Sequence, residues 1–170
     1  MNISYGKNAP EEVNVFIEIP KGSNVKYELD KESGVIFVDR FSSTSMFYPA
    51  NYGYIPGTLS EDGDPVDVLV LSEQAVVPGV VIPSHPVAML EMEDESGIDA
   101  KIIAVPAVTG DAYSTIEDLS DISEMLTAQI KHFFENYKSI DKGKWVKIKD
   151  WKDKASAIEE IRKGMERGES

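Results

Sequence analysis

The feature that most constrains this chain is a change of hydrophobic period along its length. As far as Val105, apolar residues form short runs broken by Gly, Pro and acidic turns; from Ile122 they recur at intervals of three and four. Period two marks a strand with one face covered, and a period near 3.6 marks an amphipathic helix. Val13, Val15, Ile17 and Ile19 therefore predict a strand that carries Glu18 on the opposite face. Val25–Leu29 and Val35–Phe41, separated by a turn over 30–34, predict a hairpin with Lys26 and Glu28 sharing a face and Arg40 near its exit. Val68–Leu71, Val80–Ile82, Val87–Met92 and Lys101–Val105 predict further strands at the close spacing of a small barrel or sandwich. The stripe Ile122, Met125, Leu126, Ile130, Phe133, Phe134 and Tyr137 predicts a helix, with Asp121 as its cap and Glu124 completing a capping box. A short strand over Lys144–Ile148 and a helix from about Asp153 follow, the latter burying Ala155, Ile158, Ile161 and Met165 and stopping at Gly168. The expected class is α+β, mainly β, with two C-terminal helices.

The 170 residues suit one domain spanning 1–170, with no repeat or Gly/Ser linker to divide it. No apolar run is long enough for a membrane span and no N-terminal segment reads as a signal peptide, so the expected location is cytoplasmic. With no cysteine, a metal would be held by oxygen or by the two histidines. The net charge of -13, from 30 acids and 17 bases, disfavours a nucleic-acid partner, which needs Lys and Arg to neutralise phosphate.

The segment Asp62-Gly63-Asp64-Pro65-Val66-Asp67-Val68 places three carboxylates at a proline-stiffened bend just ahead of an apolar strand. Carboxylate oxygens are preferred ligands of Mg²⁺ and Mn²⁺, and an adjoining strand holds such a bend still. Taken alone, Asp, Gly and Pro are also ordinary turn formers. An EF-hand loop is excluded, because its fifth and sixth positions would be Val66 and Asp67 where an oxygen ligand and a glycine are required. Four other clusters repeat the pattern of acids beside isolated cations or tyrosines: Lys26/Glu28, Arg40, Tyr48 to Tyr54, and Asp94 to Lys101. His85 reads as a loop residue and His132 as exposed on its helix or facing a neighbouring subunit.

Together these segments resemble the soluble family I inorganic pyrophosphatases, prokaryotic branch, from about Glu18 to Trp145. The signature acid-Gly-Asp-Pro-apolar-Asp-apolar is met by Asp62 to Val68. Lys26-Tyr27-Glu28, Val38-Asp39-Arg40-Phe41, Phe47 to Tyr54, Asp94-Glu95 with Asp99-Ala100-Lys101, and Phe133 to Lys138 appear in the family's order. The resemblance implies an OB-like five-stranded closed β-barrel with flanking helices, a homohexamer, and hydrolysis of inorganic diphosphate to two phosphates. A Mg²⁺-activated water would attack in line, with several ions per site and Mn²⁺ as a possible substitute.

It further implies Asp62, Asp67 and Asp99 as ligands of a first metal, with Asp67 bridging to a second. Asp94 and Glu28 would serve further ions, and Asp64 would handle the proton of the attacking water. Lys26, Arg40, Lys101, Lys138, Tyr52 and Tyr137 would bind the substrate, with Tyr48, Glu18 and Glu95 in an outer rank. Eight such acids against four bases leave a surplus of four negative charges; diphosphate adds roughly four, so roughly four divalent ions would balance the filled site. Hydrolysis of nucleoside triphosphates or polyphosphate is the alternative chemistry, and a non-enzymatic OB-type binding module is the alternative class.

Overall fold

Alternating Val, Ile and Phe produce strand wherever the sequence repeats them, and the two later stripes produce helix. The computed structural model describes residues 2–170 and contains β1 (Val13–Ile19), β2 (Val25–Asp30), β3 (Val35–Phe41), β4 (Asn51–Tyr54), β5 (Asp67–Val70), β6 (Val81–Asp94), β7 (Gly97–Pro106), α1 (Glu124–Asn136), β8 (Val146–Lys152) and α2 (Lys154–Glu169). β1, β4, β5, β7 and β6 are neighbours in that order, and β6 pairs back onto β1, so the five form a ring. Within the ring only the β5–β7 pair is parallel. β2 and β3 make the expected hairpin as a separate two-stranded ribbon.

β5 explains why its run is apolar at every position. Val68 and Val70 pack with Ile102, Ala104, Ala157 and Ile161 on the α2 side, while Leu69 and Leu71 pack with Ile103, Ile130 and Phe134 on the α1 side. A strand covered on both faces has no polar side to alternate. The rows of Val13, Val15 and Ile17 on β1 join the α2-side cluster, leaving Glu18 half-buried on the other face.

Several expected boundaries shift. The segments Val80–Ile82 and Val87–Met92 are one strand, β6, whose start pairs β1 and whose end pairs β8. Pro86 does not break it because it sits at a register shift, where a bulge needs no ladder N–H. His85 is accordingly an exposed strand residue instead of a loop residue. β4, unforeseen as strand, is a short four-residue segment between proline-bearing loops. β8 begins at Val146 and runs four residues past the expected end.

Asp121 does not cap α1: its carboxylate accepts the Glu117 and Asp118 N–H groups and closes a single 3₁₀ turn, Leu119–Asp121. Ile122 then extends and is buried, so the helix starts later, with the Ser123 hydroxyl accepting the Leu126 N–H at 3.2 Å. α2 buries Ala157, Ile161 and Gly164, with Ile158 and Met165 half-buried and Ala155 exposed. Gly168 lies inside α2, where a Cβ would collide with the Gly57 carbonyl. The glycine allows close packing of helix on loop instead of ending the helix.

Candidate active site

The bend at Asp62–Asp67 is held by its own backbone and by one buried side chain. Asp62 Oδ1 accepts the Asp64 N–H at 2.9 Å, and the Ser60 N–H donates to the Asp64 carbonyl at 2.7 Å. Gly63 has φ +88°, a left-handed turn conformation that glycine adopts without steric cost. Val66 is fully buried, and its N–H donates to the buried Thr58 hydroxyl at 3.1 Å. Pro65 was the expected stiffener; Val66 is the anchor. Asp62 and Asp64 therefore stay exposed on a fixed loop while Asp67 enters β5.

The parallel register sets Asp67 beside Lys101. Lys101 Nζ lies 2.7 Å from Asp67 Oδ2, 2.8 Å from Asp99 Oδ2 and 2.8 Å from the Tyr52 hydroxyl, and its side chain is 5% exposed. The two-residue strand period brings Asp99 and Lys101 to the same face of β7, as the alternation requires. At the turn of the β6–β7 hairpin, Lys138 Nζ lies 3.1 Å from Asp94 Oδ2 and 3.2 Å from Glu95 Oε1. Lys26 faces Asp39 at 3.3 Å. Tyr48 is buried, its ring centroid 4.6 Å from that of Phe133 and 5.4 Å from that of Tyr52, so it supports the site wall.

All the candidate residues line one cleft of about 320 Å³: Glu18, Lys26, Glu28, Arg40, Tyr48, Tyr52, Asp62, Asp64, Asp67, Asp94, Glu95, Asp99, Lys101, Tyr137 and Lys138. Glu18 comes from β1, the ribbon brings Lys26, Glu28 and Arg40, β4 brings Tyr52, and the segment after α1 brings Lys138. His85 and His132 are exposed and outside this lining.

Two cations were missed, Lys31 and Lys144. Lys31 Nζ stands 5.5 Å from the Tyr54 ring centroid, and Lys144 follows Gly143 in the turn whose next residue, Trp145, donates its N–H to Glu95 Oε2 at 3.4 Å. Lys31 lies in the expected turn over 30–34, and Lys144 stood at the head of the expected strand Lys144–Ile148, which in fact begins at Val146. The cleft thus holds eight acids and six bases, a surplus of two and not four. Roughly three divalent ions, instead of four, would balance the site once diphosphate adds roughly four negative charges.

The acids press on one another. Burial holds the Glu18 carboxyl up at about 7, opposed by the Leu29 N–H it accepts at 2.8 Å and reinforced by Asp67 and Glu28. Burial also raises Asp62, with Asp64 and Asp99 adding to it, and raises Asp99, with Asp67 and Asp94 adding to it. Burial works against charge on Lys101, but Asp67, Tyr52 and Asp99 hold it well above its ordinary value. Burial raises Tyr52 too, which keeps its proton; the oxygen accepts from Lys101, so that proton is free to donate outward.

Among the described residues no three acids already surround an ion-sized gap, since Lys101 stands between Asp67 and Asp99. The donor set is nonetheless all oxygen, crowded and short of positive charge, which is the chemistry of a hard divalent cation.

The sequence profile described as "Inorganic pyrophosphatase" matches residues 15–169. The inorganic pyrophosphatase of Aquifex pyrophilus is 57% identical over 162 residues, covering 95% of this chain and 92% of that protein. The Escherichia coli K12 protein of the same name is 52% identical over 172 residues, covering 100% and 98%. The crystal structure of inorganic pyrophosphatase from Thermus thermophilus superposes with a TM-score of 0.96 at 46% identity, covering 99% of this chain and 98% of that one.

Proposed function

The chain belongs to the inorganic pyrophosphatase family, and from that premise we infer that it hydrolyses inorganic diphosphate to two phosphates, with Mg²⁺ as its working ion. The observation that carries this reading is the convergence, in one cleft, of acids and bases from segments as distant as Glu18 and Lys138.

Divalent ions bound there would offset the repulsion between diphosphate oxygens and water and acidify a bound water. Asp62, Asp67 and Asp99 would hold one ion, with Asp67 shared to a second; Asp94 with Asp99, and Glu28, would hold others. Asp64 lies on the exposed apex of a rigid bend, so its carboxylate can accept or orient a proton of the attacking water without carrying a structural contact. Arg40 can fork onto two phosphate oxygens, and Lys26, Lys101 and Lys138 act as point charges. Tyr52 and Tyr137 would donate phenolic protons, while Glu18 and Glu95 complete the outer acid rank. As the water oxygen bonds to one phosphorus, the bridging oxygen leaves with the other phosphate, and these cations balance the charge it gains.

We read the working protein as one domain in a cytoplasmic homohexamer. No helix among the described residues is long and apolar enough to cross a membrane. The exposed apolar side chains Phe37, Phe41 and Met125 support association with further copies. Sedimentation at micromolar protein giving a monomer would refute the oligomer.

The deciding experiment is phosphate release from diphosphate with Mg²⁺ and with chelator, run beside a nucleoside triphosphate. Rapid release that needs Mg²⁺ and favours diphosphate is expected. Faster release from the triphosphate would overturn the substrate.

A further inference from the structure

Arg40 sits at the exit of β3, on a ribbon that shares no strand pairing with the ring. Its guanidinium is bracketed by two carboxylates: Nε is 3.6 Å from Asp39 Oδ2, and Nη1 is 3.6 Å from Asp141 Oδ2. These contacts fall on Nε and Nη1, so the guanidinium is held from the ribbon and from a second element at once. Asp39 is the adjacent residue on the same strand and moves with Arg40. Asp141 belongs to the turn after α1.

Asp141 is fixed at several points. Its Oδ1 accepts the Ser43 hydroxyl at 2.6 Å, its N–H donates to the Lys138 carbonyl at 3.1 Å, and its carbonyl accepts the Lys144 N–H at 3.2 Å. Next to it the Thr44 hydroxyl donates to the Tyr137 carbonyl at 3.2 Å. The carboxylate plane is thereby set from one side by Ser43, leaving Oδ2 for Arg40. Arg40, Ser43, Lys138 and Asp141 share the wall of a small cavity of about 30 Å³ beside the main cleft.

We propose that Asp141 is a positioning residue: it ties Arg40 of the separate ribbon to the turn that carries Tyr137 and Lys138, so that the two groups of phosphate-binding cations keep a fixed spacing. The inference rests on the substrate-binding role given to Arg40. An acid this close to a phosphate-binding arginine would weaken anion binding if it acted only through charge. Its benefit lies in orientation, since the guanidinium is held between the ribbon and the turn. The ordinary alternative is a half-exposed ion pair that only adds stability, and such pairs add little.

The test is the KM and kcat for diphosphate at fixed free Mg²⁺, with urea unfolding of each variant as control. Asp141→Ala is expected to raise KM about three- to fivefold, the range an exposed pair supports, with kcat within about twofold and the unfolding midpoint unmoved. Asp141→Glu restores KM, and Asp141→Asn, which keeps an acceptor for Ser43, gives an intermediate rise even if the alanine variant folds poorly. In an Arg40→Ala background, Asp141→Ala adds nothing further. An unchanged KM in both the alanine and asparagine variants, or the same fold-change with Arg40 absent, overturns the inference while the Arg40 assignment stands. Normal kinetics for Arg40→Ala overturns that assignment and the inference with it. Failure of the parent protein to hydrolyse diphosphate refutes the proposed function itself.

Discussion

Replacing Lys101 by methionine removes the cation that stands between Asp67 and Asp99. The side chain is almost fully buried, with carboxylate oxygens at 2.7 and 2.8 Å, so deletion leaves Asp67 and Asp99 facing each other without a counter-charge. Breaking a buried pair in this way costs about 3–5 kcal/mol. Methionine fills most of the volume, which keeps the packing change under about 1.5 kcal/mol. Asp67 is 30% exposed and Asp99 14%, so water screens part of the repulsion and the lower end, about 3 kcal/mol, applies. A protein with about 5–15 kcal/mol of stability survives that loss. The two freed acids should then bind a divalent ion more tightly than they do in the parent, because no ammonium has to be displaced. Urea unfolding of parent and variant in chelator, and again in millimolar Mg²⁺, reads both effects. The deficit should be near 3 kcal/mol in chelator and should fall by at least half with Mg²⁺, through preferential binding to the folded state. An equal deficit in the two conditions would show that Lys101 and the metal do not compete for the same oxygens.

Asp67→Asn should weaken Mg²⁺ binding and remove most activity, whereas Asp64→Asn should lower kcat with little change in Mg²⁺ affinity; isothermal titration beside turnover separates them, and near-normal turnover for Asp67→Asn refutes its sharing between ions. Glu18 should make the metal-free protein less stable as pH rises. Its folded carboxyl is held at about 7 against 4.5 when unfolded, so both states are protonated below 4.5 and the folded state alone resists ionisation above it. The loss accrues between those values, reaches at most about 3 kcal/mol above pH 7, and should vanish in Glu18→Gln; an identical pH trend in that variant contradicts the argument. Gly168→Ala should destabilise by about 1–3 kcal/mol, despite alanine's better helix propensity, because the new Cβ meets the Gly57 carbonyl. A stabilised variant would mean that the helix end had moved away.

The ring was legible where the sequence alternates and obscure where it does not. Val13 to Ile19 and the β2–β3 hairpin follow from period two. The continuity of β6 was hidden by Pro83 and Pro86, which read as a loop, although Pro83 pairs in register with Asn14 and Pro86 sits at a register shift. Asp121 was misread because a buried Ile122 at the first stripe position looks helical in sequence, though its backbone is extended. At the site, acids with strand or turn context were visible, since spacing fixes the face on which each side chain emerges. Lys31 and Asp141 were not, because the groups they meet, Tyr54 for one and Arg40 with Ser43 for the other, are distant in sequence, and Lys144 was hidden by being read as the start of a strand. The charge count included Lys101 and Lys138, but spacing could not show that they stand directly on Asp67, Asp99, Asp94 and Glu95.

β5 is buried on both faces, and its first residue is Asp67. Backbone amides in such a strand should exchange with solvent only when the ring opens, while those of a two-stranded ribbon that pairs with no ring strand should exchange through smaller fluctuations. The two halves of the cleft should therefore open at different free energies. The Asp67 and Lys101 half should stay intact in any state that is still folded. The Lys26, Glu28 and Arg40 half should exchange sooner, to an extent limited by the hold of Asp141 on Arg40. Such an order of opening would let product leave at the ribbon edge while Asp67 and Lys101 keep their places for the next turnover.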